Sequence, residues 1–86
     1  MNLTVPFWFK QRQGIAEPAG TDVVKLTAPN LKPAFITIQK GENGLWSAGV
    51  RLEEGGPLIA ATELEFPRPQ EAWDAAFELY REAVVV

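Results

Sequence analysis

The sequence predicts an α+β domain, an antiparallel sheet of four to five strands packed against one C-terminal helix, with a β-β-β meander leading into that helix. Two observations carry this. An Asn-Gly pair in "GENG" joins the alternating segments "AFITIQK" and "LWSAGVRL" and supplies the positive φ angles of a tight hairpin. Farther on, "PRPQEAWDAAFELYREAV" changes from the strand period of about 2 to the helical period of about 3.6. Trp73, Ala76, Phe77, Tyr80 and Val84 then share one stripe, which belongs against the sheet.

The elements follow in order. Asn2 to Lys10 alternates and is rich in aromatic and branched residues, so it predicts a strand, with Pro6 placing it at an edge because proline donates nothing to a ladder. Leu3, Val5, Phe7 and Phe9 share one face of that strand and Trp8 takes the other, which raises the question of what covers Trp8. "QRQGIAEPAGT" predicts a long loop and "DVVKLT" a second strand ended by Pro29, Asn30 and Pro33. After the hairpin, "EEGGP" turns the chain into "LIAATELEF", a fifth strand with Leu58, Ala60, Leu64 and Phe66 on one face. Pro69 suits the first helical turn and Glu71 the positive end of the helix dipole.

Composition narrows the chemistry. Eighty-six residues make one domain, and a 47% apolar fraction is enough for a core without disulfides or metal. The chain has neither Cys nor His, which excludes a thiol nucleophile, a Ser-His-Asp triad and a Cys/His zinc site. No apolar run reaches the roughly 20 residues of a membrane span, and no leader pattern opens the chain, so a cytoplasmic protein is expected. The net charge of −3 opposes general nucleic-acid binding. Residues 1–41 carry +3 and residues 42–86 carry −6.

From about Phe35 to Val84 the chain resembles a recurrent β-β-β-α unit, seen in AP2-like DNA-binding domains and HicB-type antitoxin domains. "GLWSAGVR" is similar to the Gly-x-Trp-x-Ala-x-(Ile/Val)-Arg strand of AP2-like domains, and "FPRPQEAWDAAFELY" to their helix entry. The resemblance implies that the sheet face away from the helix is a recognition surface. Where AP2-like strands carry several Arg and Trp residues, this meander has Arg51 and Trp46 among acids. Where HicB-type domains carry a Gly-rich segment before the helix, this chain has "ATELEF".

Glu63 and Glu65 share a strand face, and Glu53 and Glu54 sit in a turn; with no positioned partner, these carboxylates are read as solvated. Glu71, Asp74, Glu78 and Glu82 line one side of the helix, where like charges four apart repel by a few tenths of a kcal/mol. That stripe is either a solvated face or a steering surface for a basic partner. A second apolar flank of Ala72, Ala75, Leu79 and Ala83 is either covered within the monomer or used for self-association. Trp8, beside Lys10 and Arg12, packs under the loop, lies in an oligomer interface, acts as a recognition aromatic or is a core residue of a small five-stranded sheet, and Trp46 carries the same ambiguity.

The expected function is therefore a small non-catalytic interaction protein, an adaptor or antitoxin-like inhibitor. It acts as a homodimer on another protein, without cofactor or metal. The alternative is a single-stranded nucleic-acid binder, with Trp8 and Trp46 as stacking platforms and Lys10, Arg12, Lys25, Lys32 and Lys40 along the backbone.

Overall fold

The computed structural model describes residues 3–85. Its elements are α1 (Phe7–Gln11), β1 (Ile15–Gly20), β2 (Val23–Thr27), β3 (Ala34–Lys40), β4 (Trp46–Arg51), β5 (Leu58–Ala61) and α2 (Pro69–Tyr80), followed by a π-helical turn over Arg81–Val85. The strands form one antiparallel meander in chain order. Helix α2 lies across β3 and β4 and reaches β5, which is the α+β arrangement expected from the helical stripe.

Cross-strand register explains the core. Val24 faces Ile36, Leu26 faces Ala34, Ile36 faces Val50 and Ile38 faces Ala48, so alternate residues of three strands fall on one inner face. All are buried, together with Ala72, Trp73, Ala76, Phe77 and Tyr80 of α2. Among the described residues no charged side chain lies in this core. Pro69 opens α2, and Glu71 lies in its first turn. The regular helix stops at Tyr80, with Val84 partly buried in the π-helical turn that follows.

The N-terminal strand expected over Asn2–Lys10 does not form. Asn2 lies outside the described residues, Leu3–Pro6 has no strand pairing, and Phe7–Gln11 is helical. Pro6 is the residue before the first helical turn, with φ −62° and ψ 148°. The edge strand with a proline is instead β1, inside the segment expected to be a loop, where Pro18 pairs with Val24. Branched and aromatic side chains favour strands only when they find a pleated surface to pack on. Here Phe9 is completely buried against the sheet and α2, and the chain must turn to bring it there.

Helix α1 ends in a Schellman motif: Gln13 N–H donates to the Lys10 carbonyl and Gly14 N–H to the Phe9 carbonyl, both at 3.0 Å. Gln13 occupies the left-handed position at φ 59°, and Gly14 lies flat against the Phe9 ring.

The β3–β4 hairpin forms as expected, but by a different turn. Only Gly44 has positive φ, 81°. Asn43 acts through its side chain, its Oδ1 accepting the Leu45 N–H at 3.0 Å, and Gly41 N–H closes the loop on the Leu45 carbonyl at 2.8 Å.

The fifth strand is shorter than the expected Leu58–Phe66. Leu58 pairs with Arg51 and Ala60 with Val50, so Ile59 is an extra residue and Leu58 and Ala60 occupy opposite faces. After Ala61, the Thr62 hydroxyl accepts the Ala48 N–H at 2.9 Å, replacing a main-chain acceptor. The ladder is interrupted until Phe66 rejoins Trp46.

Two substitutions test the α1 terminus. A Cβ on Gly14 would overlap the Phe9 ring, which is buried on every side, so Gly14→Ala is expected to cost about 1–3 kcal/mol by overpacking. Gln13→Gly relieves a left-handed residue and is expected to add up to about 1 kcal/mol, since that conformation costs a non-glycine residue about 1–2 kcal/mol. Urea midpoints measure both, and wild-type midpoints in the two variants would contradict this account of α1.

Candidate functional site

Trp8 is covered by α2 rather than by a loop. Its ring stacks on Tyr80 at a centroid distance of 6.4 Å and 18° between planes, and meets Phe77 and Phe9 edge-on at 6.5 and 5.8 Å. Such offset and edge contacts suit the ring quadrupole. The Arg81 guanidinium lies 5.5 Å from the Trp8 centroid and 3.9 Å from the Glu78 carboxylate.

Beside this stack, Pro6, Trp8, Phe77, Asp74 and Glu78 line an open depression of about 200 Å³. Three walls are apolar and two carboxylates stand among them. Gln70 braces it: its Nε2 donates to Asp74 Oδ1 at 2.8 Å, and its Oε1 accepts the Thr4 N–H at 3.1 Å. Apolar rings can hold the methylene stem of Lys or Arg, while the indole face and the carboxylates receive the charged head. The arrangement offers a cation an indole face and two carboxylates.

The structure thus brings Trp8, Asp74 and Glu78 together and leaves the other expected site residues apart. Lys10 and Arg12 are exposed at the end of α1, and Glu71 and Glu82 are exposed along α2 and the turn after it. Leu79 and Ala75 are partly buried against the core and Ala72 completely so, leaving Ala83 exposed from the second flank. Trp46 shares the phase of Ala48 and Val50 and packs against the core on the helix side. Lys40 Nζ sits 6.0 Å from its ring. Trp8 and Trp46 therefore do not form a shared stacking platform on the open sheet face.

The resemblance pointed to the sheet face away from the helix, but sequence reasoning did not single out Phe35 or the row that it centres there. Glu17, Lys25, Phe35, Arg51 and Leu58 form one cross-strand row, and Val23, Phe35, Thr37 and Arg51 line a depression of about 330 Å³. The Arg51 Nε donates to the Gly56 carbonyl at 2.7 Å, which fixes the side chain. The available signal was Phe35, a lone aromatic out of phase with Ala34, Ile36 and Ile38.

Among the described residues no group of three carboxylates is placed to hold a metal, and no helix is long and apolar enough to cross a membrane. Comparison with protein-family models, with curated proteins and with solved structures finds no match.

Tyr80 joins the aromatic stack to the core. Its side chain is fully buried and its hydroxyl meets no hydrogen-bond partner among the described residues. Burial pushes its pKa above the usual tyrosine value, with the Arg12 guanidinium opposing in part. Because the folded state holds this proton more tightly than the unfolded chain, the contribution is complete below about pH 10 and is lost as pH rises through the folded value. Tyr80→Phe removes an unpaired buried hydroxyl, so it is expected to change neutral-pH stability little and to flatten the alkaline limb of a denaturation profile above about pH 10. An unchanged alkaline limb would count against the burial account.

Proposed function

We propose that this protein is a non-catalytic binding module that takes a basic segment of another protein at the α1–α2 depression. The observation that carries the reading is the meeting of Trp8, Asp74 and Glu78 around one depression. The chain's own Arg81 lies over the same indole, an intramolecular instance of the contact a partner cation would make. Glu71 and Glu82 extend the acidic side of α2 and raise the encounter rate with a basic partner. Self-association, the other expected use of α2, has less surface to draw on because Ala72, Ala75 and Leu79 pack within the monomer.

One observation favours a second reading, single-stranded nucleic-acid binding: Phe35 stands between Lys25 and Arg51 in one row of the open sheet face. An aromatic between cations on a sheet can stack a base and hold its phosphates. It is a single platform on a chain of net charge −3.

The test is a titration of the whole protein with a labelled Arg-rich peptide, followed by the indole and amide resonances. Asp74→Lys with Glu78→Lys is expected to abolish the shifts at Trp8 and to weaken affinity about tenfold or more, since two attractive charge contacts become repulsive beside the indole. Glu71→Lys with Glu82→Lys should mainly slow association and reduce its salt dependence. Equal affinity in the first pair and the wild type would overturn the reading. Anisotropy with short labelled DNA and RNA at about 0.1 M salt tests the second reading, and micromolar binding lost in Phe35→Ala would favour it over the first.

A further inference from the structure

The two edges of the sheet are not equivalent. At one, β1 carries Pro18, which has no N–H, and its pairing shifts between Pro18 and Gly20; both features blunt an edge. At the other, β5 is the last strand in the order and has neither Pro nor Lys within Leu58–Ala61. Its Leu58 and Ile59 are 46% and 45% exposed, and Leu64 just beyond is 40% exposed. Thr62 N–H turns inward to the Ala48 carbonyl, so the preceding Ala61 N–H faces the free edge by strand alternation.

Carboxylates flank this edge. Glu53 and Glu54 precede β5 and Glu63 and Glu65 follow it, all four exposed and none in an ion pair among the described residues. A second copy pairing antiparallel with β5 would bring the Glu53–Glu54 end of one molecule to the Glu63–Glu65 end of the other. Like charges would then meet at both ends of a short ladder, and such juxtapositions are unfavourable. An extended segment with alternating apolar residues and basic flanks meets no such penalty.

We infer that β5 is a docking edge for an extended, Lys- or Arg-flanked segment of a partner protein, which adds to the sheet as a sixth strand. Main-chain hydrogen bonds supply the register, Leu58 and Ile59 supply apolar contact, and the four carboxylates select the sign of the flanks. This goes beyond the α1–α2 reading, because it uses a different surface and a different mode of recognition.

The probe is a peptide of four alternating Val and Thr residues with two Lys at each end, and its control is the same peptide with Glu at the ends. Titrated into the whole ¹⁵N-labelled protein, the Lys peptide should shift the Leu58–Ala61 amides and slow hydrogen exchange at Ala61. The Glu peptide should do neither. Changing Glu53, Glu54, Glu63 and Glu65 together to Gln should weaken binding about tenfold, and Ala61→Pro, which removes the outward donor, should abolish it. If Ala61→Pro fails to fold, the amide map and the Gln variant decide. Asp74→Lys with Glu78→Lys should leave this binding unchanged, which separates failure of one site from failure of the other. Equal binding of both peptides, shifts confined to Trp8 and α2, or a peptide-free dimer that protects the same amides would each overturn the inference.

Discussion

A twelve-residue helix cannot cover a five-stranded sheet, and much of this fold depends on how the shortfall is met. Such a helix is about 18 Å long and about 10 Å wide, while five strands span about 19 Å across. Since α2 packs over β3 and β4, Val24 and Leu26 on β2 need further cover, and Phe9 joins them in the same buried cluster. A single helical turn does not stand alone, its nucleation costing about 4 kcal/mol. Full burial of Phe9 returns about 1.5–3 kcal/mol, and its ring pairs with Phe77 and Tyr80 add about 0.5–1.5 kcal/mol each. The packing is therefore of the size needed to offset nucleation, and α1 exists because of the core it completes.

This solution leaves the molecule with distinct surfaces. The inner face is filled by apolar side chains from strands and helices, whereas the outer face carries Lys25 and Arg51 around Phe35 and is left open. The acidic half of the chain supplies α2, β5 and the turns beside them. The charge asymmetry visible along the sequence thus becomes an asymmetry between surfaces, and surface electrostatics govern which partners approach and how fast. Trp8 belongs to both descriptions, since one part of its ring surface stabilises the α1–α2 contact and another borders a depression flanked by carboxylates.

What was legible in the sequence was local. The stripe Trp73, Ala76, Phe77 and Tyr80 specifies α2 through its own spacing, and the alternation around "GENG" specifies the hairpin without reference to distant residues. Phe7, Trp8 and Phe9 could not be read this way. Their preference is for a strand, and the partners that make them helical, Phe77 and Tyr80, lie some seventy residues farther along. The Pro18 strand was hidden because its ladder partner, β2, supplies the order that "IAEPAG" lacks alone. The break after Ala61 rests on one hydroxyl replacing a carbonyl at Ala48, which no periodicity records. For the candidate site, Trp8 and the acidic side of α2 were legible as separate features, but their meeting was not, because it depends on α1 being helical.

The carboxylates around β5 acquire a physical role once the strand is seen to be an edge. An exposed strand with Leu58 and Ile59 and no internal charge is a template for pairing, including pairing with copies of itself. Proline within it would have removed this liability, as Pro18 does on β1, but would also have removed the donors that any partner strand needs. Charges placed outside the strand leave the donors intact and act on the flanks of whatever approaches. Repulsion between copies and attraction for basic segments then come from the same four side chains. The selectivity is electrostatic and weakens with ionic strength, since exposed charges are screened beyond about 8–10 Å at physiological salt. The apolar and main-chain contacts of the edge are screened much less, so added salt should erode the choice of partner sooner than the capacity to pair.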